Sequence, residues 1–168
     1  MDKLWSPWRS KYIDSFREDK SGKECIFCAA LEVDMESDDS LVLYKGKYSY
    51  ITLNLYPYNS GHLMVIPKRH LCEFTELNSD ELAEMMMLVQ KSMKALEIIM
   101  SPQGYNLGVN IGKAAGAGID QHIHIHLLPR WTGDTNFMPA IGEVKIISQD
   151  LLDTKKNFVE ALKKILDI

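Results

Sequence analysis

The chain has 168 residues, 46% of them hydrophobic and 25% charged, which fits one ordinary globular domain with a sizeable core. A net charge of −4 excludes a surface built for nonspecific nucleic-acid binding, so an anionic ligand must be held by local charges and backbone donors. No apolar run approaches the roughly 20 residues of a membrane-spanning helix, and the first dozen residues lack the apolar stretch of a secretory signal, so a cytoplasmic location is expected.

Residues 1–22 carry Trp5, Pro7, Trp8, Tyr12 and Phe16 among basic residues and read as an arm that packs on the body. Cys25 and Cys28 form a lone C-x-x-C, with Cys72 apart from them. So few cysteines in an unsecreted chain favour metal or redox use over a disulfide framework. By itself the pair is open between a zinc knuckle, a redox couple and plain structure. The acidic stretch 32–39 reads as a loop. Strands are expected over 41–44 and 48–54, turned by Lys45-Gly46-Lys47, and over 62–66, ending at Pro67.

Leu82, Met85, Met86, Val89, Met93, Leu96 and Met100 recur at helical spacing, which predicts a core-facing helix from Ser79 to about Met100. Asn78 is its expected N-cap, with Glu81 three residues on and Leu77 placed to staple to Leu82. A strand over 105–110, a glycine-rich stretch over 112–118, the histidine segment and a second amphipathic helix over about 151–166 complete the order. One long helix among strands joined by short turns argues for an α+β fold on an antiparallel sheet of about five strands, with a C-terminal helix.

His122, His124 and His126 alternate with Ile123 and Ile125, so on a strand the three imidazoles share one face and the aliphatic side chains the other. Such a row could ligate zinc, decorate a surface or carry nucleotidyl groups. Three of the five histidines within five positions argue against surface decoration. Few carboxylates stand near to serve a metal-bound water, Asp120 being the exception. A neutral imidazole is a good nucleophile near pH 7, and its neighbours can support the phosphoryl oxygens. Gly112, Lys113, Gly116 and Gly118, just before the row, could let the main chain close on a phosphate.

The run His122-Ile-His124-Ile-His126-Leu-Leu resembles the histidine triad of the HIT superfamily of nucleotide hydrolases and transferases. Asn54, then Gly61-His62 and an apolar strand to Pro67, resembles that family's upstream half-site. Leu4-Trp-Ser-Pro-Trp-Arg, the Ala-Gly-Ala-Gly loop and Pro129-Arg-Trp-Thr-Gly-Asp-Thr-Asn-Phe-Met are similar to the bacterial diadenosine tetraphosphate phosphorylase branch. The resemblance implies His124 as nucleophile, His126 and His62 as its supports, Asn54 on the ribose, and Asn110 with the 112–118 loop on the phosphates. Gln121 and Trp131 join the substrate-binding candidates. It also implies a structural zinc on Cys25, Cys28, His70 and His122, a nucleotide and inorganic phosphate as reactants, and a homodimer. The whole chain would be one HIT-like domain, with an arm over 1–22, a core over 23–138 and an extension over 139–168.

Two departures stand out. Many relatives have Gly-Gln-Ser/Thr where this chain has Gly116-Ala117-Gly118-Ile119, and His126 replaces the Gln of transferase branches, which leaves hydrolysis chemically open. The rival activities are therefore a phosphoramidate or dinucleotide hydrolase, a three-histidine zinc hydrolase and a zinc-stapled nucleotide-binding module.

Overall fold

A computed structural model describes residues 25–134 and 149–166. The expected arm over 1–22, Trp5 and Trp8 included, and the whole of the 135–148 stretch lie outside the described residues. Cys25 caps a seven-residue helix, Ile26–Glu32 (α1), which periodicity over so short a stretch did not announce. Then come Val42–Lys45 (β1), Ser49–Leu53 (β2), Leu63–Pro67 (β3), helix Ser79–Met100 (α2), Gly104–Val109 (β4), Ile125–Arg130 (β5) and helix Leu151–Leu166 (α3). The five strands form one antiparallel sheet in the order β1-β2-β3-β5-β4.

Strand alternation divides the sheet into two faces. Leu43, Ile51, Leu53, Leu63, Val65, Ile125 and Leu127 point to one side and bury against Met85, Leu88 and Leu96 of α2 and Phe158 and Leu162 of α3. Val42, Tyr50, Met64 and Ile66 point to the other, where Phe27 of α1 covers them. The imidazoles share that second face.

The long helix begins with the expected capping box, as Glu81 N–H donates to the Asn78 side chain at 3.0 Å and Asn78 N–H to Glu81 Oε2 at 2.9 Å. It ends in a left-handed Ser101, ahead of Pro102. Its buried stripe runs through Met85, Leu88, Val89, Ser92, Ala95 and Leu96. Met86, expected in the core, is 45% exposed, because Leu88 rather than Met86 completes the face turned to the sheet. From that helix Glu84 accepts the backbone N–H groups of Lys47, Tyr48 and Ser49 at 2.6–2.8 Å, which fixes the β1–β2 turn.

The histidine segment differs from expectation in one respect. β5 starts at Ile125, not His122, because Ile123 N–H donates to Leu71 O at 2.8 Å instead of joining the ladder. The alternation nonetheless persists, with Ile123, Ile125 and Leu127 in the core and the imidazoles opposite.

Candidate active site

Four elements converge on the triad. The loop from Asn54 to Gly61 turns between β2 and β3 and ends in a left-handed Gly61 at φ 72°, whose missing Cβ would stand 2.7 Å from Met100 Sδ. That turn delivers His62, buried, to His126. α1 brings Phe27 over His122 and His124, with ring centroids 5.7 and 4.9 Å away. Tyr50 OH, itself buried, donates to Phe27 O at 2.8 Å and holds the helix in place.

The hydrogen bonds fix each imidazole's tautomer, and that decides what each can do. Asn54 Oδ1 accepts Tyr56 N–H at 2.9 Å, which turns Asn54 Nδ2 toward His62 Nδ1 at 3.3 Å. Tyr58 N–H also donates to His62 Nδ1, at 3.1 Å. His62 therefore carries its proton on Nε2, and that N–H donates to His126 Nδ1 at 2.9 Å. His126 is left with Nε2–H, a hydrogen-bond donor. His124 is set the opposite way. Its Nδ1–H donates to the His122 carbonyl at 2.9 Å, so Nε2 carries the lone pair.

Burial reinforces these states. It holds both His124 and His126 below the ordinary histidine range, His126 at about 4, with neighbouring His124 lowering His126 further. The His122 carbonyl partly opposes this at His124. Both rings are neutral at pH 7, as a nucleophile and a neutral donor require.

His122 turns from this pair. Its Nε2–H donates to Pro67 O at 2.9 Å, leaving Nδ1 as a lone-pair donor 3.3 Å from Cys25 Sγ and 3.7 Å from Cys28 Sγ. Cys28 Sγ is also 3.4 Å from His70 Nδ1. The four ligand atoms lie within 4.8 Å of one another. A tetrahedral S2N2 metal site has S···N edges of about 3.5 Å, so the donor set and its spacing fit one closed site. The three triad rings do not present lone pairs to one common point: His122 spends Nε2–H on Pro67 O and turns Nδ1 to the cysteines, and His126, accepting from His62 at Nδ1, carries its proton on Nε2. Among the described residues the metal-ligand cluster takes His122 alone from the triad.

The remaining candidates separate by location. The β4–β5 ladder ends at the pair Val109 and Ile125, so Asn110 and His124 are the next residues beyond it on the two strands, and the Gly112–Gly118 loop follows. Lys113 is exposed and pairs with Asp120 at 3.5 Å. Gln121 lines an open cleft with His70, Glu73 and Gly112. Trp131 stands at the far end of β5, seven residues and roughly 23 Å of strand from His124, and donates from Nε1 to Met100 O at 3.3 Å. Two other basic side chains are committed within the protein, Arg69 to Glu81 and Glu76 O, and Arg130 to Asp134 and Asn106.

Sequence reasoning missed three supports. Phe27 is one of the two residues between the cysteines, Tyr58 packs on His62 and His126 at 4.8 and 5.9 Å, and Asp134 ties the loop after β5 to Asn59. Phe27 was signalled by its place inside C-x-x-C. The other two contacts join distant stretches and left no local pattern.

A histidine row with this tautomer pattern, fed by an upstream His and a glycine loop, invites comparison with known proteins. The family model described as the HIT domain matches residues 36–133. The chain belongs to the HIT domain family. An AP-4-A phosphorylase of Mycobacterium tuberculosis is 39% identical over 159 residues, covering 93% of this chain and 82% of that protein. A bifunctional bis(5'-adenosyl)-triphosphatase/adenylylsulfatase of Arabidopsis thaliana is 33% identical over 131 residues, 78% of this chain and 67% of that protein. Among solved HIT-family folds, a zinc-bound histidine triad family protein of Mycobacterium smegmatis superposes with a TM-score of 0.69 at 26% identity, over 86% of this chain and 96% of that one.

Proposed function

We propose that the protein is a HIT-family nucleotidyl-transferring enzyme that cleaves dinucleoside polyphosphates, with diadenosine tetraphosphate and inorganic phosphate giving ATP and ADP. The observation that carries this reading is the His124 tautomer, with Nδ1–H committed to the His122 carbonyl and Nε2 left as a nucleophile. The similarity to the phosphorylase of M. tuberculosis over nearly the whole chain supports the choice of substrate.

In the first half-reaction the His124 Nε2 lone pair attacks the α-phosphorus. The bond from that phosphorus to the bridging oxygen breaks, and ATP leaves with the electron pair. Its product is adenylyl-His124, in which the N–P bond has formed. His126 Nε2–H donates to a nonbridging oxygen as charge builds, and His62 holds that donor in place. Asn110 and the 112–118 loop contribute further donors, and the second amide hydrogen of Asn54 reaches the ribose. In the second half-reaction a phosphate oxygen attacks the same phosphorus, the N–P electron pair returns to Nε2, and ADP forms as the phosphate proton passes to solvent.

Cys25, Cys28, His70 and His122 hold a structural zinc in this reading, which pins α1 and Phe27 against the triad without entering the chemistry. The zinc-bound relative of M. smegmatis supports it. The chain acts as one domain and as a homodimer in the cytoplasm. Support for the dimer is the position of β4 at the end of the sheet, with Leu107 and Ile111 each 48% exposed beside it. Among the described residues no helix is long and apolar enough to cross a membrane.

The test is incubation with diadenosine tetraphosphate, with and without phosphate, and separation of the products. ATP plus ADP only when phosphate is present supports the phosphorylase. ATP plus AMP regardless of phosphate would make the protein a hydrolase.

A further inference from the structure

We propose that Gly108 sets how large a leaving group the site accepts, an inference that rests on the nucleotidyl-transfer reading above. Gly108 is paired directly with His126 across the β4–β5 ladder. Opposed residues of an antiparallel pair project to the same face with Cβ atoms about 5 Å apart, so a side chain at 108 would stand beside the His126 imidazole. Its neighbours agree with this placement, since Tyr105 and Val109 pack into the core on the other face.

Among the described residues nothing requires glycine at this position. Its φ is not in the left-handed region, and a Cβ there would meet no heavy atom within 4 Å. Glycine in a strand interior weakens the strand, so the missing side chain counts against the fold. What it provides is space at the site. The other surroundings of the two reactive rings are filled. Met64, opposite His126 on β3, is buried, Tyr58 and His62 pack on His126, and Phe27 packs on His124. Within one protomer, among the described residues, the flank toward β4, where Gly108 is exposed, is the open one. A leaving group departs in line with the attacking His124 nitrogen and must clear these rings. Over Gly108 a nucleoside triphosphate can pass.

The experiment measures the rate of adenylyl transfer to His124 by rapid quench, using full-length Gly108→Val and Gly108→Ala. It uses two donors that deliver the same adenylyl group. Diadenosine tetraphosphate expels a whole nucleoside triphosphate, and adenosine 5'-phosphorofluoridate expels fluoride. With Gly108→Val the dinucleotide rate should fall on the order of 10-fold to 100-fold, while the fluoridate rate changes less than about twofold. Gly108→Ala should fall between wild type and Val on the dinucleotide, and it carries the test alone if the Val protein does not fold. Equal losses on both donors, no loss on either, or a change in mass in solution that accounts for both losses would overturn the proposal. Wild-type protein that accepts no adenylyl group from either donor would overturn the functional reading, and this inference with it, before any variant is compared.

Discussion

Acid should loosen this fold through its buried imidazoles, and His126 carries a share that can be isolated. His126 sits at about 4 in the folded protein against 6.5 for a free histidine, mainly because burial disfavours its charged form and secondarily because of His124. The hydrogen bonds give the structural reason. Protonating His126 on Nδ1 would set two N–H groups against each other at the 2.9 Å contact with His62, and His62 cannot switch tautomer while Tyr58 N–H points at its Nδ1. Above pH 6.5 neither the folded nor the unfolded chain binds this proton. As pH falls below 6.5 the unfolded chain takes it up and the folded chain does not, until about 4 is reached. Stability is therefore complete above 6.5 and lost progressively toward 4. At about 1.4 kcal/mol per tenfold change in proton concentration, the gap amounts to about 3 kcal/mol. Urea unfolding of wild type and His126→Gln over this range isolates the contribution, because a glutamine carbonyl can still accept the His62 proton but cannot titrate. The wild type should lose about 3 kcal/mol more than the variant between the two ends of the window. Parallel losses in the two proteins would refute the reasoning.

Three further outcomes follow from other contacts. Gly61→Ala forces an L side chain into a left-handed turn and should cost roughly 1–3 kcal/mol in urea unfolding, with adenylyl transfer slowed because His62 is the next residue. Asp134→Ala removes the acceptor of Arg130, Asn59 Nδ2 and Trp131 N–H, and should lower stability by about 2 kcal/mol, a figure reduced for the openness of Arg130 to water. Cys28→Ser should reduce metal bound per chain, measured by elemental analysis of protein purified without chelator. It should also lower the melting temperature by more than about 5 °C, since a closed zinc site contributes several kcal/mol to folding. Unchanged metal content in that variant would remove Cys28 from the ligand set.

Much of this architecture was legible because its signals are local and repetitive. The long helix was readable from Leu82 to Met100 by periodicity and from Asn78 and Glu81 by capping chemistry, and its observed span, Ser79–Met100, matches. The strand order of the sheet was not readable, since β5 inserts between β3 and β4 through pairings distant in sequence. α1 was missed because seven residues carry too few turns for a periodic signal. At the site, residue types and spacing marked the histidines and cysteines, but not which nitrogen of each ring bears the proton. That depends on Tyr58 N–H, the His122 carbonyl and the Pro67 carbonyl, backbone groups whose positions exist only in the fold. Arg69 shows the same limit from the other side. In the sequence it is one more cation just after Pro67, and in the fold its guanidinium is bound by Glu81, whose carboxyl it holds below the usual range.

The central claim is that His124 carries the nucleotide covalently through Nε2. Intact-protein mass spectrometry after mixing with diadenosine tetraphosphate in phosphate-free buffer tests it most directly. The wild type should gain one adenylyl group that is labile to acid and released as ADP on adding phosphate, and His124→Ala should gain none. An adduct that persists in His124→Ala would contradict the account, as would rapid turnover by that variant.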